Sequence, residues 1–182
     1  KGEWAILGDP TEGALVTVAG KAGIEKDQWN SKLPRIGEFP FDSERKRMSV
    51  ICQVEEVTTG EASLTAVDPV IAGLIESEPY LMFTKGSPEL TLARCTQIHL
   101  GNNSAPLSDE QRQQVLAENN QMASQGLRVL GFAYKPLLEI PPEGSDETSE
   151  VNLVWLGLIG MLDAPRPEVR VAVQESRNAG IR

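Results

Sequence analysis

Strand-forming residues in this sequence come in neighbouring groups rather than alternating one by one with helices, and that grouping limits the available folds most. Arg47 to Val54, Ala62 to Val67 and Tyr80 to Lys85 are β-branched enough to be strands, as are Leu127 to Tyr134 and Asn152 to Leu162. A parallel architecture needs a crossover, usually a helix, between successive strands. Without regular βαβ alternation, the pattern predicts an α+β domain: a mostly antiparallel twisted sheet flanked by helices.

The helices announce themselves by their ends. Asp9 can cap, Pro10 suits the first helical position, and Glu12 can reach back three residues as in a capping box. Ala14, Leu15, Val18, Ala19 and Ala22 recur at helical spacing, and Gly23 can stop the element. Ser87-Pro88-Glu89 opens a short helix expected to run through Cys95. Ser108 to Gln125 is a longer one, capped by Ser108 with Gln111 and stopped by Gly126. A last helix carries Val169, Val171, Ala172, Val173 and Ser176 and ends at Gly180. Between the last two strand runs lies PPEGSDETSE, residues 141–150, which reads as a solvated acidic loop.

Composition excludes several classes. The 182 residues are 40% hydrophobic and 24% charged, enough for an ordinary core. A net charge of −9 argues against nucleic acid as a partner, since binders of nucleic acid carry a basic face. No apolar run approaches the roughly 20 residues that span a bilayer. Cys52 and Cys95 are too few for a disulfide framework, and His99 alone cannot complete a Cys/His zinc site, so no metal ligands are assigned. VAGKAG (18–23) is not a phosphate loop: Gly13 and Gly20 are too far apart, and Lys21 is followed by Ala22. His99 reads as an ordinary strand or loop residue. The sequon Asn102-Asn103-Ser104 has no secretory signal to give it meaning.

What remains is a concentration of cations in an acidic chain. FPFDSERKRMSV (39–50) sets Phe41 beside a turn and then Arg45, Lys46 and Arg47. An aromatic face can stack a planar base, and nearby cations can meet phosphates. In Lys85-Gly86-Ser87 a strand ends in a lysine, a glycine permits close backbone approach, and a helix start offers free amides.

These stretches carry a resemblance. GDPTEGAL (8–15), FPFDSERKRMSV (39–50), FTKGSPE (83–89), GLRVLGFAYK (126–135) and GMLDAPRPEV (160–169) stand in the order found in P-type cation-transporting ATPases. The chain resembles the nucleotide-binding domain of their type II branch, nearest to calcium-transporting pumps. The resemblance implies ATP as the ligand, with Mg²⁺ in the full-length protein. By position, Phe41 resembles the adenine-stacking phenylalanine and Glu12 the glutamate near the adenine amino group. Lys46 and Lys85 resemble the two pocket lysines, with Gly86 giving the ring room. Arg128 resembles the arginine reaching the phosphates, Leu130 packs near the base, and Met48 forms an apolar wall. Ser43 stands where some calcium pumps carry a phosphate-holding arginine, which would shift that load to Arg128 and Arg45.

No residue of this chain is expected to be catalytic, because the phosphorylated DKTGT aspartate and the Mg²⁺-holding TGDG are absent from it. The resemblance further implies residues 1–162 as nucleotide-binding domain, with early strands expected to precede Lys1. Residues 163–182 would be the hinge and first helix of the phosphorylation domain, Ala164 replacing a proline of the family's DPPR. The expected partners are ATP or ADP and the phosphorylation and actuator domains of one longer chain, with no nucleic acid. The expected setting is a monomeric cytoplasmic domain of an integral membrane protein. A haloacid-dehalogenase-like hydrolase would need a DxDx[TV] motif, which is absent; an acidic interaction module would use residues 141–150 but leaves Phe41, Lys46 and Lys85 unexplained.

Overall fold

A computed structural model of the chain describes residues 8–54, 78–101, 103–162 and 167–181. Its strands, in chain order, are β1 (Arg35–Asp42), β2 (Arg47–Gln53), β3 (Tyr80–Gly86), β4 (Cys95–Leu100), β5 (Asn103–Pro106), β6 (Leu127–Leu137) and β7 (Leu153–Leu162). Among the described residues they form one seven-stranded sheet in the order β1-β2-β3-β6-β7-β4-β5. The β4–β7 pairing is parallel and the others antiparallel. The helices are α1 (Pro10–Lys21), α2 (Lys26–Lys32), α3 (Pro88–Leu92), α4 (Asp109–Ser124), α5 (Asp146–Ser149) and α6 (Pro167–Asn178). The α+β architecture expected from the grouped strands is the one observed. Among the described residues no helix is long and apolar enough to cross a membrane.

Successive strand residues face opposite sides of a sheet, so β3 feeds two cores. Met82 joins Phe39, Ile51, Ala133, Leu153 and Trp155 on one face, closed over by Leu92 of α3 and Val115 of α4. Leu81 joins Val54, Tyr134 and Val154 on the other, where Trp29 of α2 and Leu33 pack. The side of the sheet that carries Leu81 also carries Lys85 further along the same strand, and there the apolar cover gives way to a cleft under α1.

Both cysteines are buried and free. Burial raises the Cys52 thiol and pushes Cys95 up to about 12. Because the thiolate is the reactive form, neither is expected to react with Ellman's reagent in the native protein at mildly alkaline pH, and both are expected to react in guanidinium. Rapid labelling of the native protein would contradict this burial.

The structure departs from the sequence pattern in several places. The helix opened by Pro88 ends at Leu92, and Cys95 begins β4, its sulfur donating to the Thr91 carbonyl at 3.2 Å. β1, β4, β5 and α2 were not foreseen. His99 lies on β4 and shares a 3.2 Å hydrogen bond with the Tyr134 hydroxyl. The acidic stretch is no uniformly solvated loop: it forms α5 and ends in Glu150, whose side chain is wholly buried. The strand expected at Ala62 to Val67 and the hinge at residues 163–166 lie outside the described residues.

Candidate functional site

The turn joining β1 to β2 is built by Asp42. Its Oδ1 accepts from the backbone N–H groups of Glu44 and Arg45, each at 2.8 Å, and its carbonyl accepts from Lys46 N–H at 2.8 Å. The Arg45 and Glu44 amides hold the Asp42 carboxyl below its ordinary value of 3.8. The turn therefore contributes fully above that value and loses its contribution as pH falls through the lowered one. Lys46 closes the turn with a φ of 54°, in the left-handed region.

Just before the turn the register slips. Phe39 pairs with Ser49 and Asp42 with Arg47, so Pro40 and Phe41 together oppose Met48 alone. This is a β-bulge, a feature that bends a strand and re-aims a side chain, and proline is tolerated there because it has no N–H to lose. Strict alternation would send Phe41 to the core face with Phe39, which is buried. The bulge instead turns it over, leaving it 60% exposed above Met48.

A cleft of about 440 Å³ opens beside that ring. Met48 and Lys85 are cross-strand partners on β2 and β3; Leu130 and Arg128 continue the same face on β6. Glu12 closes it from the first turn of α1 and pairs with Lys85 Nζ. Arg128 Nη1 lies 3.4 Å from the Thr11 hydroxyl. The structure thus brings Glu12, Phe41, Lys46, Met48, Lys85, Gly86, Arg128 and Leu130, the residues named from sequence, to one cleft. Lys46, Lys85 and Arg128 line it as cations, Lys85 paired with Glu12, while Asp9 is engaged as the cap of α1, accepting from the Thr11 and Glu12 amides. The Thr11 side chain and amide hold the Asp9 carboxyl below its usual range.

Sequence reasoning missed Asp9, Thr11, Ser87 and Val129 as lining residues. Thr11 and Ser87 adjoin Glu12 and Gly86 at helix starts, Asp9 is the cap of α1, and Val129 lies between Arg128 and Leu130. The reason for Gly86 is also different. A Cβ there would lie 2.4 Å from the Lys46 carbonyl oxygen and 2.5 Å from Arg47 Cβ. The turn carbonyl of Lys46 and the start of β2 at Arg47 occupy that space.

Arg45 and Arg47 do not line the cleft. Arg45 Nη1 donates to Glu150 at 2.5 Å and its Nε meets Asp146 at 2.8 Å, while Arg47 Nε donates to Glu150 at 2.6 Å. The expected share of Arg45 in holding phosphate is therefore corrected: its guanidinium is turned away and neutralised by buried carboxylate. A larger recess of about 760 Å³ runs along α6 between Val173, Ser176, Arg177, Gly180 and Ile181, but it gathers no converging polar groups beyond one arginine and one serine.

Comparison with known proteins bears on this geometry. The family described as P-type ATPase, cytoplasmic domain N, matches residues 1–168. A "Calcium-transporting ATPase" of Bacillus subtilis is 38% identical over 183 aligned positions, covering 100% of this chain and 18% of that protein. "Calcium-transporting ATPase 1" of Lactococcus lactis is 34% identical, covering 99% of this chain and 18% of its own length. The human "Calcium-transporting ATPase type 2C member 2" is 34% identical over 97% of this chain and 15% of itself. The chain thus spans less than a fifth of these relatives, within the part that the family match describes as cytoplasmic. It belongs to the P-type ATPases, as their cytoplasmic domain N.

Proposed function

We propose that the cleft binds ATP, holding adenosine against Phe41 and leaving the triphosphate to Lys46, Lys85 and Arg128. The observation that carries this reading is the convergence of one exposed ring and three cations on a single open cleft. The donor set fits: Met48 and Leu130 give an apolar floor beside the ring, and the cations meet phosphate oxygens by charge-assisted bonds. Glu12 sits where it can accept from an exocyclic amine once Lys85 turns to phosphate.

An open cleft holds one end of the nucleotide and does not enclose the other. The γ-phosphate is thereby free for an aspartate in another part of a longer chain, as in-line phosphoryl transfer requires. Mg²⁺ would neutralise phosphate charge there. On this view that ion arrives with the nucleotide. In this reading residues 1–162 are the nucleotide-binding unit and 163–182 the link into the phosphorylation domain. The whole protein is an integral membrane pump that couples ATP hydrolysis to cation transport, with calcium the ion suggested by its relatives' names. The docking role for residues 141–150 loses ground, because Asp146, Glu147 and Glu150 are engaged by arginines of this same chain.

Titration with ADP, followed by backbone amide shifts, is expected to perturb Glu12, Phe41, Lys85, Gly86 and Arg128. Phe41→Ala is expected to weaken binding by about 1–3 kcal/mol, the value of one base stacked on an aromatic ring. It should leave the thermal midpoint nearly unchanged, since the ring buries little in the free protein. Absence of any shift at millimolar nucleotide would refute the reading.

A further inference from the structure

We propose that the buried Glu150–Arg45 pair is a positioning device for the cleft, fixing Phe41 and Lys46 from the opposite face of the sheet. The proposal rests on the nucleotide reading above. Glu150 has no exposed side-chain surface. Its Oε2 accepts from Arg45 Nη1 and Arg47 Nε, and its Oε1 from the Ser49 hydroxyl at 2.7 Å, which is itself bonded to Thr84 at 2.8 Å. A carboxylate held from three sides inside the protein is a fixed point.

Arg45 transmits that fixed point to the bulge. Its Nη2 donates to the Pro40 carbonyl at 2.8 Å, the peptide that leads directly into Phe41. Arg47 Nη1 donates to the Arg45 carbonyl at 3.2 Å, so the two arginines also brace each other across Lys46. Lys46 lies between two side chains drawn inward and has the positive φ that L-residues keep only when their surroundings impose it. The inward pull on its neighbours directs Lys46 to the cleft. Burying an ion pair is a poor way to gain stability, and well-packed apolar residues often do as well. Geometry at the bulge is what this network supplies that an apolar core could not.

Arg45→Gln tests the proposal, because it leaves Glu150 paired with Arg47 and Ser49. ADP affinity is measured by amide shifts in the wild type, Arg45→Gln, Phe41→Ala and the double variant, with thermal unfolding alongside. Arg45→Gln is expected to weaken ADP about fivefold, the worth of one net hydrogen bond, with displaced Phe41 and Lys46 amide signals in the free protein. In the Phe41→Ala background the same change is expected to cost less than about twofold, because coupled residues are not additive. Arg45→Lys is expected to behave like Arg45→Gln, since one ammonium cannot span Glu150, Asp146 and Pro40 as a guanidinium does; it decides the matter if the glutamine variant fails to fold. Unchanged ADP affinity in a folded Arg45 variant, or an equal loss with and without Phe41, overturns the proposal. A wild type that binds no ADP overturns the nucleotide reading itself.

Discussion

Glu150→Ala is expected to destabilise the protein by about 3–5 kcal/mol, the cost of removing one partner from a buried ion pair. In a chain of this size that corresponds to a fall of about 6–20 °C in the thermal midpoint. The reason lies in what is left behind. Arg47 is 3% exposed and would keep only the 3.3 Å contact with Glu147 and the Arg45 carbonyl. Arg45 would retain Asp146 and Pro40, while Ser49 would fall back on Thr84. A cation enclosed without its counter-charge is far more costly than a broken surface pair. Arg94→Ala, which removes the exposed bridge to Glu147, is the control, and about 1 kcal/mol or less is expected there. Urea unfolding should show the Glu150→Ala midpoint lowered with an unchanged slope. Equal midpoints for the Glu150 and Arg94 variants would mean that the network is wetter and looser than its geometry implies.

The same network marks where sequence reading stops. Local signals were sufficient for the elements with defined ends: Asp9 caps α1, Ser108 and Gln111 form the box that starts α4, and Gly126 takes the positive φ that ends it. Lys85, Gly86 and Phe41 were legible because each sits at a strand end or turn, where few residues decide the conformation. Arg45 and Glu150 are 105 positions apart, and no local pattern connects them. PPEGSDETSE has the composition of a solvated loop, and only a distant pair of arginines makes burial of its last residue tolerable. Arg45 and Lys46 are adjacent cations with opposite destinations, one into the protein and one to the cleft.

β1 shows the same limit in the backbone. RIGEFPFD contains a glycine and a proline, which demote a run as a strand candidate. Among the described residues it is nonetheless an edge strand of the sheet, and its proline sits in the bulge, where no ladder bond is needed. A one-residue slip moves a side chain to the other face of a sheet. Whether Phe41 stacks on a ligand or fills the core therefore depended on the bulge, which the composition of the strand does not encode.

Gly86→Ala is expected to damage fold and site together. Alternation points the new methyl away from the face that carries Lys85, straight at β2. There it would meet the Lys46 carbonyl oxygen at 2.4 Å, Arg47 Cβ at 2.5 Å and Arg47 Cα at 2.8 Å. Backbone atoms cannot swing aside as a long side chain can. The Lys46 carbonyl is held by the Ser87 N–H at 2.9 Å, and Arg47 is anchored by Glu150. Relief requires parting β2 from β3 at the end of their ladder, where Arg47 pairs with Gly86. Overpacking of this kind costs about 3 kcal/mol or more where the neighbours cannot yield. Because the displaced peptide is the one that aims Lys46, nucleotide affinity is expected to fall even at temperatures where the variant remains folded. Gly20→Ala, on α1 with nothing beyond its own helix within 4 Å of the added carbon, is the matched control: ADP affinity is expected to stay unchanged and the midpoint to hold or rise slightly, since alanine is the better helix former. A Gly86→Ala protein with wild-type midpoint and wild-type ADP affinity would show that the two strands do not approach as closely as described, and the placement of Lys46 would need another cause.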